Sequence, residues 1–163
     1  MSRMHITEER VARTLEGQSF DFKCTGCGNC CKGPGDVYFT EEELKSLKEY
    51  LKLSAWAFSR LKKRLIQDTI PGYYVHRSGE ACLFLEDNRC TVYPVRPLQC
   101  RTFPFWTSNF NSKSNFRHLQ KDCPGTMSGL GPALDAAKVT ARIQKTETAF
   151  LRPQHEADDP IML

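Results

Sequence analysis

Long apolar runs are missing from this 163-residue chain and histidine is scarce, and each absence narrows what it can encode. No stretch approaches the ~18–20 consecutive apolar residues that a bilayer crossing needs. The opening "MSRMHITEERVARTLEGQSF" lacks the apolar core of a secretory leader, so a cytoplasmic protein with no membrane partner is expected. The four histidines, His5, His76, His118 and His155, stand in no fixed relation to any cysteine, which weakens a reading as a thiol nucleophile with an imidazole base. A G-x-G-type methyltransferase loop, an internal repeat and a low-complexity tract are absent as well.

The remainder is ordinary except in one respect. A hydrophobic fraction of 40% and a charged fraction of 26% suit a globular chain, and the length suits one domain, here 1–151 with a tail at 152–163. The anomaly is eight cysteines, four of them inside "CTGCGNCC". In a reducing compartment an even number of cysteines points to metal binding before a disulfide framework. The formal charge of +4 treats every thiol as neutral; eight thiolates with two dipositive metals would cancel it. The basic balance then reads as counter-charge for metal sites, and a nucleic-acid partner is disfavoured.

Periodicity predicts an α+β fold, with peripheral helices at 40–66 and 132–151 around a short antiparallel hairpin and irregular metal-bound loops. A short helix is expected over Glu8–Leu15. Thr40 and Glu43 form a capping box ahead of Leu44, Leu47 and Leu51. Ser54 caps a second helix with a Phe58, Leu61 and Leu65 stripe, and the basic run Arg60, Lys62, Lys63 and Arg64 reads as its solvated face. "YYVHR" and "ACLFLE" read as strands, the latter opening a hairpin that turns at Glu86–Arg89 and brings Cys82 towards Cys90. Three prolines, Pro94, Pro97 and Pro104, leave room for one helical turn around Leu98–Thr102. A strand is expected around Asn115–Leu119. The longest helix is expected from Pro132 to Leu151, burying Leu134, Ala137 and Ala141 beside Val139, Ile143 and Phe150.

Cys24, Cys27 and Cys30 recur at the three-residue spacing that also holds three irons of a [4Fe–4S] cluster, and Cys123 precedes Pro124 as a remote cluster cysteine does. Gly26 and Gly28 flank the middle cysteine, so the backbone can take positive φ and turn its N–H groups towards sulfur. Adjacent side chains diverge, so Cys30 and Cys31 are expected to serve two different metals, Cys31 with some of Cys82, Cys90 and Cys100. Arg96 and Arg101 flank Cys100 and could balance thiolate charge or donate to sulfur. Phe103, Phe105 and Trp106 read as a dry wall rather than a base-stacking platform.

Taken together, "CTGCGNCC", "CLFLEDNRCTVYPVRPLQCRTFPFW" and "DCPG" resemble the CxxCxxCC family of zinc- or iron-chelating domains, also called the YkgJ-like cysteine cluster family. All eight cysteines fall on its motif positions, as do Tyr93, Arg96, Pro97, Arg101 and Pro104. The resemblance spans Cys24 to Gly125 and implies that Cys24, Cys27, Cys30, Cys31, Cys82, Cys90, Cys100 and Cys123 are ligands. One branch of the family includes the flagellin lysine N-methylase. Without a methyltransferase loop here, that activity is not carried over.

The leading expectation is therefore a metal-binding protein holding zinc or iron in two closed sites. An iron–sulfur protein with redox or protein-modification activity is the alternative, with a [4Fe–4S] cluster as its cofactor. A zinc-stabilised RNA or protein adaptor is the third.

Overall fold

A computed structural model describes residues 6–32, 35–67, 73–78 and 81–151. Among these the helices are α1 (Glu8–Leu15), α2 (Glu41–Tyr50), α3 (Ala55–Lys62), α4 (Leu98–Arg101), α5 (Thr107–Phe110), α6 (Lys113–Asp122) and α7 (Ala136–Leu151). The strands are β1 (Phe20–Asp21), β2 (Gly35–Thr40), β3 (Ile66–Gln67), β4 (Tyr73–Ser78), β5 (Leu85–Glu86), β6 (Arg89–Cys90) and β7 (Ala133–Leu134), and all their pairings are antiparallel. The class is α+β, as the sequence indicates. The tail at 152–163 lies outside the described residues, as do residues 33–34.

Two compact units divide the chain: Met1–Thr25 with Thr102–Leu163, and Gly26–Arg101. In the first, α1 starts where Thr7 accepts a hydrogen bond from the Arg10 N–H at 3.3 Å, with Glu8 and Glu9 favourably placed at the positive end of the helix. Its inward residues Val11 and Leu15 join Phe20, Phe105, Phe110, Phe116, Val139 and Ile143 in one core. Phe20 is the hub, meeting Phe105, Phe110 and Phe116 edge-on with centroids 6.2, 5.3 and 5.5 Å away.

Two expectations fail in this unit, each for a physical reason. Residues Asn115–Leu119 are helical, within α6, rather than a strand. Phe116 and Leu119 are three apart, which puts them on one helical face but on opposite faces of a strand, and both are buried. Ser112 accepts from the Asn115 N–H at 3.2 Å and fixes the start. The last helix, in turn, begins at Ala136 and not at Pro132. Ala133–Leu134 instead pairs with Phe20–Asp21, and Asp135 caps α7 by accepting from the Lys138 N–H at 2.8 Å. Its buried face is Val139, Thr140, Ile143 and Thr146, while Ala137 and Ala141 are exposed. The two buried hydroxyls donate to carbonyls one turn back, Thr140 to Ala136 at 2.7 Å and Thr146 to Arg142 at 2.9 Å, so neither is left unsatisfied.

The second unit is built on a sheet of order β2-β4-β3 and a core of Phe39, Leu44, Leu47, Leu65, Phe84 and Val92. The capping box forms as expected: Thr40 Oγ1 accepts from the Glu43 N–H and Glu43 Oε2 accepts from the Thr40 N–H, each at 3.0 Å. Ser54 caps α3, whose basic residues Arg60, Lys63 and Arg64 lie exposed or just beyond its end, in keeping with a solvated face. The strand expected over "ACLFLE" shrinks to Leu85–Glu86, because Cys82 to Phe84 form a turn closed by the Leu85 N–H donating to the Cys82 carbonyl at 3.0 Å.

The phase of α7 is testable by unfolding. Ile143→Ala should cost about 2–5 kcal/mol in a urea titration, whereas Ala141→Glu should change stability by no more than about 0.5 kcal/mol.

Candidate metal centre

The cysteine-rich segment turns by its glycines. Gly26 and Gly28 have φ of +69° and +74°, and Asn29–Cys31 follows as one 3-10 turn in which the Cys31 N–H donates to the Gly28 carbonyl at 2.9 Å. From that turn the Cys31 carbonyl accepts the Cys82 N–H at 2.7 Å, and Lys32 bridges Ala81 antiparallel. Residues separated by fifty positions thereby become backbone neighbours.

The hairpin supplies the next thiol. Asp87 and Asn88, with φ of +47° and +60°, make the two-residue turn whose twist matches the flanking strands, and Leu85 lies opposite Cys90. A Cβ on Gly28 would stand 2.4 Å from the Asn88 carbonyl oxygen and 2.9 Å from the Leu85 side chain. Only glycine lets the loop seat against the hairpin this closely.

In consequence the Cys31 thiol lies within hydrogen-bonding reach of the Cys30, Cys82 and Cys90 sulfurs. The thiols of the adjacent pair, expected to diverge, interact directly. Hydrogen bonding by Cys31 is the main reason that Cys30 and Cys82 fall to about 7 and Cys90 to about 6. Arg96 adds to this at Cys30 and Cys90. The same interactions with Cys30, Cys82 and Cys90, followed by burial, hold the Cys31 proton far above the ordinary thiol range. Burial pushes Cys100 up to about 12, and negative charge on Cys30, Cys82 and Cys90 adds to it.

The two arginines have different roles. Arg96 lies over the Tyr93 ring at 3.6 Å and donates from Nε to the Tyr93 carbonyl at 2.9 Å, which fixes its charge where it acts on the thiols. Arg101 is engaged by Glu43, Nη2 to Oε1 at 3.6 Å. That carboxylate and Gln99 are the two residues here whose part sequence reasoning missed. Glu43 Oε1 also accepts the Leu98 N–H at 2.6 Å, and the Gln99 amide accepts from Tyr38 N–H at 2.9 Å and donates to the Asp36 carbonyl at 3.0 Å. The capping-box signal had located Glu43 but not its second oxygen's partner.

Six cysteines, Cys27, Cys30, Cys31, Cys82, Cys90 and Cys100, belong to the second unit; Cys24 and Cys123 belong to the first. Within the first, the Lys23 N–H donates to the Gly125 carbonyl at 2.9 Å, so the chain just before Cys24 crosses the chain just after Cys123. Cys123 is half-buried against the aromatic core and Cys24 is exposed. Phe105 is buried in that core, and the Phe103 and Trp106 rings meet edge-on at 5.3 Å, as packing residues do. Of the histidines, His118 faces solvent with Nδ1 2.8 Å from the Ser114 carbonyl, and His5 and His155 lie outside the described residues.

As they stand, no three or more Cys, His, Asp or Glu side chains among the described residues are arranged to hold a metal ion. The Cys31 proton holds these sulfurs at hydrogen-bonding separations, whereas a tetrahedral zinc site sets four deprotonated sulfurs at ~2.3 Å from one point. Drawing Cys31 and the three sulfurs around it onto an ion thus requires loss of the shared proton and side-chain rotation, on a backbone already closed.

Comparison with known proteins agrees with this donor chemistry. The CxxCxxCC family model, described as a "putative zinc- or iron-chelating domain", matches residues 23–124. The uncharacterized protein MJ0661 of Methanocaldococcus jannaschii is 30% identical over 121 residues, covering 70% of this chain and 63% of that protein, so the chain spans less than two thirds of that relative's length. No solved structure matches.

Two measurements check the geometry. Gly28→Ala should destabilise the protein by about 2 kcal/mol or more, from strain plus collision, and Gly26→Ala, with open space around it, by only about 1 kcal/mol. In reduced, metal-free protein, raising the pH from about 5 to about 7 carries Cys90 through its depressed value into the thiolate, so its alkylation should speed up about tenfold. Cys31 and Cys100, both pushed up, should remain the slow thiols over the same range.

Proposed function

Because the chain belongs to the CxxCxxCC family, we propose that it chelates zinc or iron, with Cys30, Cys31, Cys82 and Cys90 as the donors of one site. The observation that carries this reading is the meeting of those four thiols, enforced by the bond between the Cys31 carbonyl and the Cys82 N–H and by the seating of Gly28 on the hairpin. Four soft sulfur donors suit zinc or iron and are poor ligands for magnesium or calcium, which take oxygen. Cys24, Cys27, Cys100 and Cys123 occupy the remaining motif positions and are assigned to metal binding by that position. Reduced thiols in such number favour the cytoplasm.

The chain's own contribution is to close the donor set and to offset its charge. A four-sulfur site leaves no open position, so zinc bound there would order the fold, while iron as a cluster would supply one-electron transfer. Arg96, held against Tyr93, offsets negative charge beside Cys30 and Cys90.

Protein purified without oxygen is expected to contain zinc or iron in stoichiometric amount, and Cys82→Ser to lose a substantial part of it. Stripping the metal with a chelator should lower the thermal midpoint by about 10 °C or more. A chain that carries neither metal, before or after anaerobic reconstitution, would refute the reading. Colour decides between the metals: a brown protein indicates an iron–sulfur cluster, and a colourless one with zinc indicates a structural ion.

A further inference from the structure

The helix that carries Cys100 cannot orient itself. α4 spans four residues, and at its start the Cys100 and Arg101 N–H groups both donate to the Pro97 carbonyl, at 2.9 and 3.0 Å. So short a helix gains little from its own hydrogen bonds and keeps its position only through outside attachments. Two such attachments exist, on the residues either side of Cys100. Leu98 N–H and Arg101 are held by Glu43 Oε1, and the Gln99 amide is held at both ends by the backbone of β2.

We infer that Glu43, assisted by Gln99, is a positioning residue for the Cys100 thiol, setting where it stands relative to Cys30, Cys82 and Cys90 without touching any sulfur. A carboxylate serving only the cap of α2 would need one oxygen, Oε2, which accepts the Thr40 N–H. The other oxygen accepts across 55 residues at 2.6 Å, from a side chain that is only 16% exposed. Because α4 advances about 100° per residue, tethers on 98, 99 and 101 leave Cys100 one direction to face. That direction is inward: the thiol is half-buried and close enough to Cys30, Cys82 and Cys90 to respond to their charge. The inference rests on the reading that the thiols of this unit chelate metal.

The test is alkylation of each thiol, mapped by mass spectrometry, in the full chain loaded with zinc alone. In the wild type, zinc should protect Cys30, Cys31, Cys82, Cys90 and Cys100. Glu43→Ala and Gln99→Ala should each speed labelling of Cys100 about tenfold while Cys31 and Cys82 remain protected. A purely structural role would instead loosen all five thiols together, and that result overturns the inference, as does unchanged labelling of Cys100. Should Glu43→Ala fail to fold, Glu43→Gln decides, because an amide keeps only one acceptor for the two N–H groups: Cys100 labelling several-fold faster upholds the inference, and wild-type labelling refutes it. If zinc protects none of the five in the wild type, the chelation reading itself fails, an outcome distinct from loss at Cys100 alone.

Discussion

A single backbone hydrogen bond, from the Cys82 N–H to the Cys31 carbonyl at 2.7 Å, organises the second unit. It is short, and it spans fifty residues. One backbone bond contributes about 0.5–1.5 kcal/mol by itself, so its importance is geometric. Once it is made, the bridge between Lys32 and Ala81 continues it, and the turn after Cys82 leads straight into the hairpin that carries Cys90. Gly28 then meets the hairpin's own turn, so both ends of the loop are constrained by the same two strands. The thiols meet because the backbone leaves them little alternative.

Much of this was legible in the residues, and the limits have physical causes. The hairpin announced itself through Asp87–Asn88 between branched and aromatic residues, and the capping box through Thr40 and Glu43, since both are signals of local spacing. Which thiols would share a site was not legible, because it depends on pairing between segments far apart in sequence. Neighbouring side chains leave the backbone in different directions, in a strand or in a 3-10 turn such as Asn29–Cys31, yet the Cys30 and Cys31 thiols interact. Glu43 shows the same limit: its local partner Thr40 could be read, its distant partner Leu98 could not.

The errors in the first unit were of period and phase. Polar residues crowd around Phe116, and only the interval to Leu119 distinguishes helix from strand. Pro132 is a favourable first helical residue, yet Asp135 caps more effectively, and the residues between pair with Phe20–Asp21 instead. Alanine offered no guidance about which face of α7 is buried, because it is tolerated on either. Threonine, read from sequence as polar, fills the buried face there by bonding to its own helix.

The attachments of Gln99 and Glu43 to β2 bear on how the molecule avoids sticking to its own kind. In the order β2-β4-β3, β2 is an edge strand, the kind of element that can template the addition of a strand from another chain. Its Tyr38 and Thr40 N–H groups and its Asp36 carbonyl are occupied by the side chains of Gln99 and Glu43. A strand arriving at this edge would have to displace both. The residues that hold a cysteine in place thus also cover this edge of the sheet.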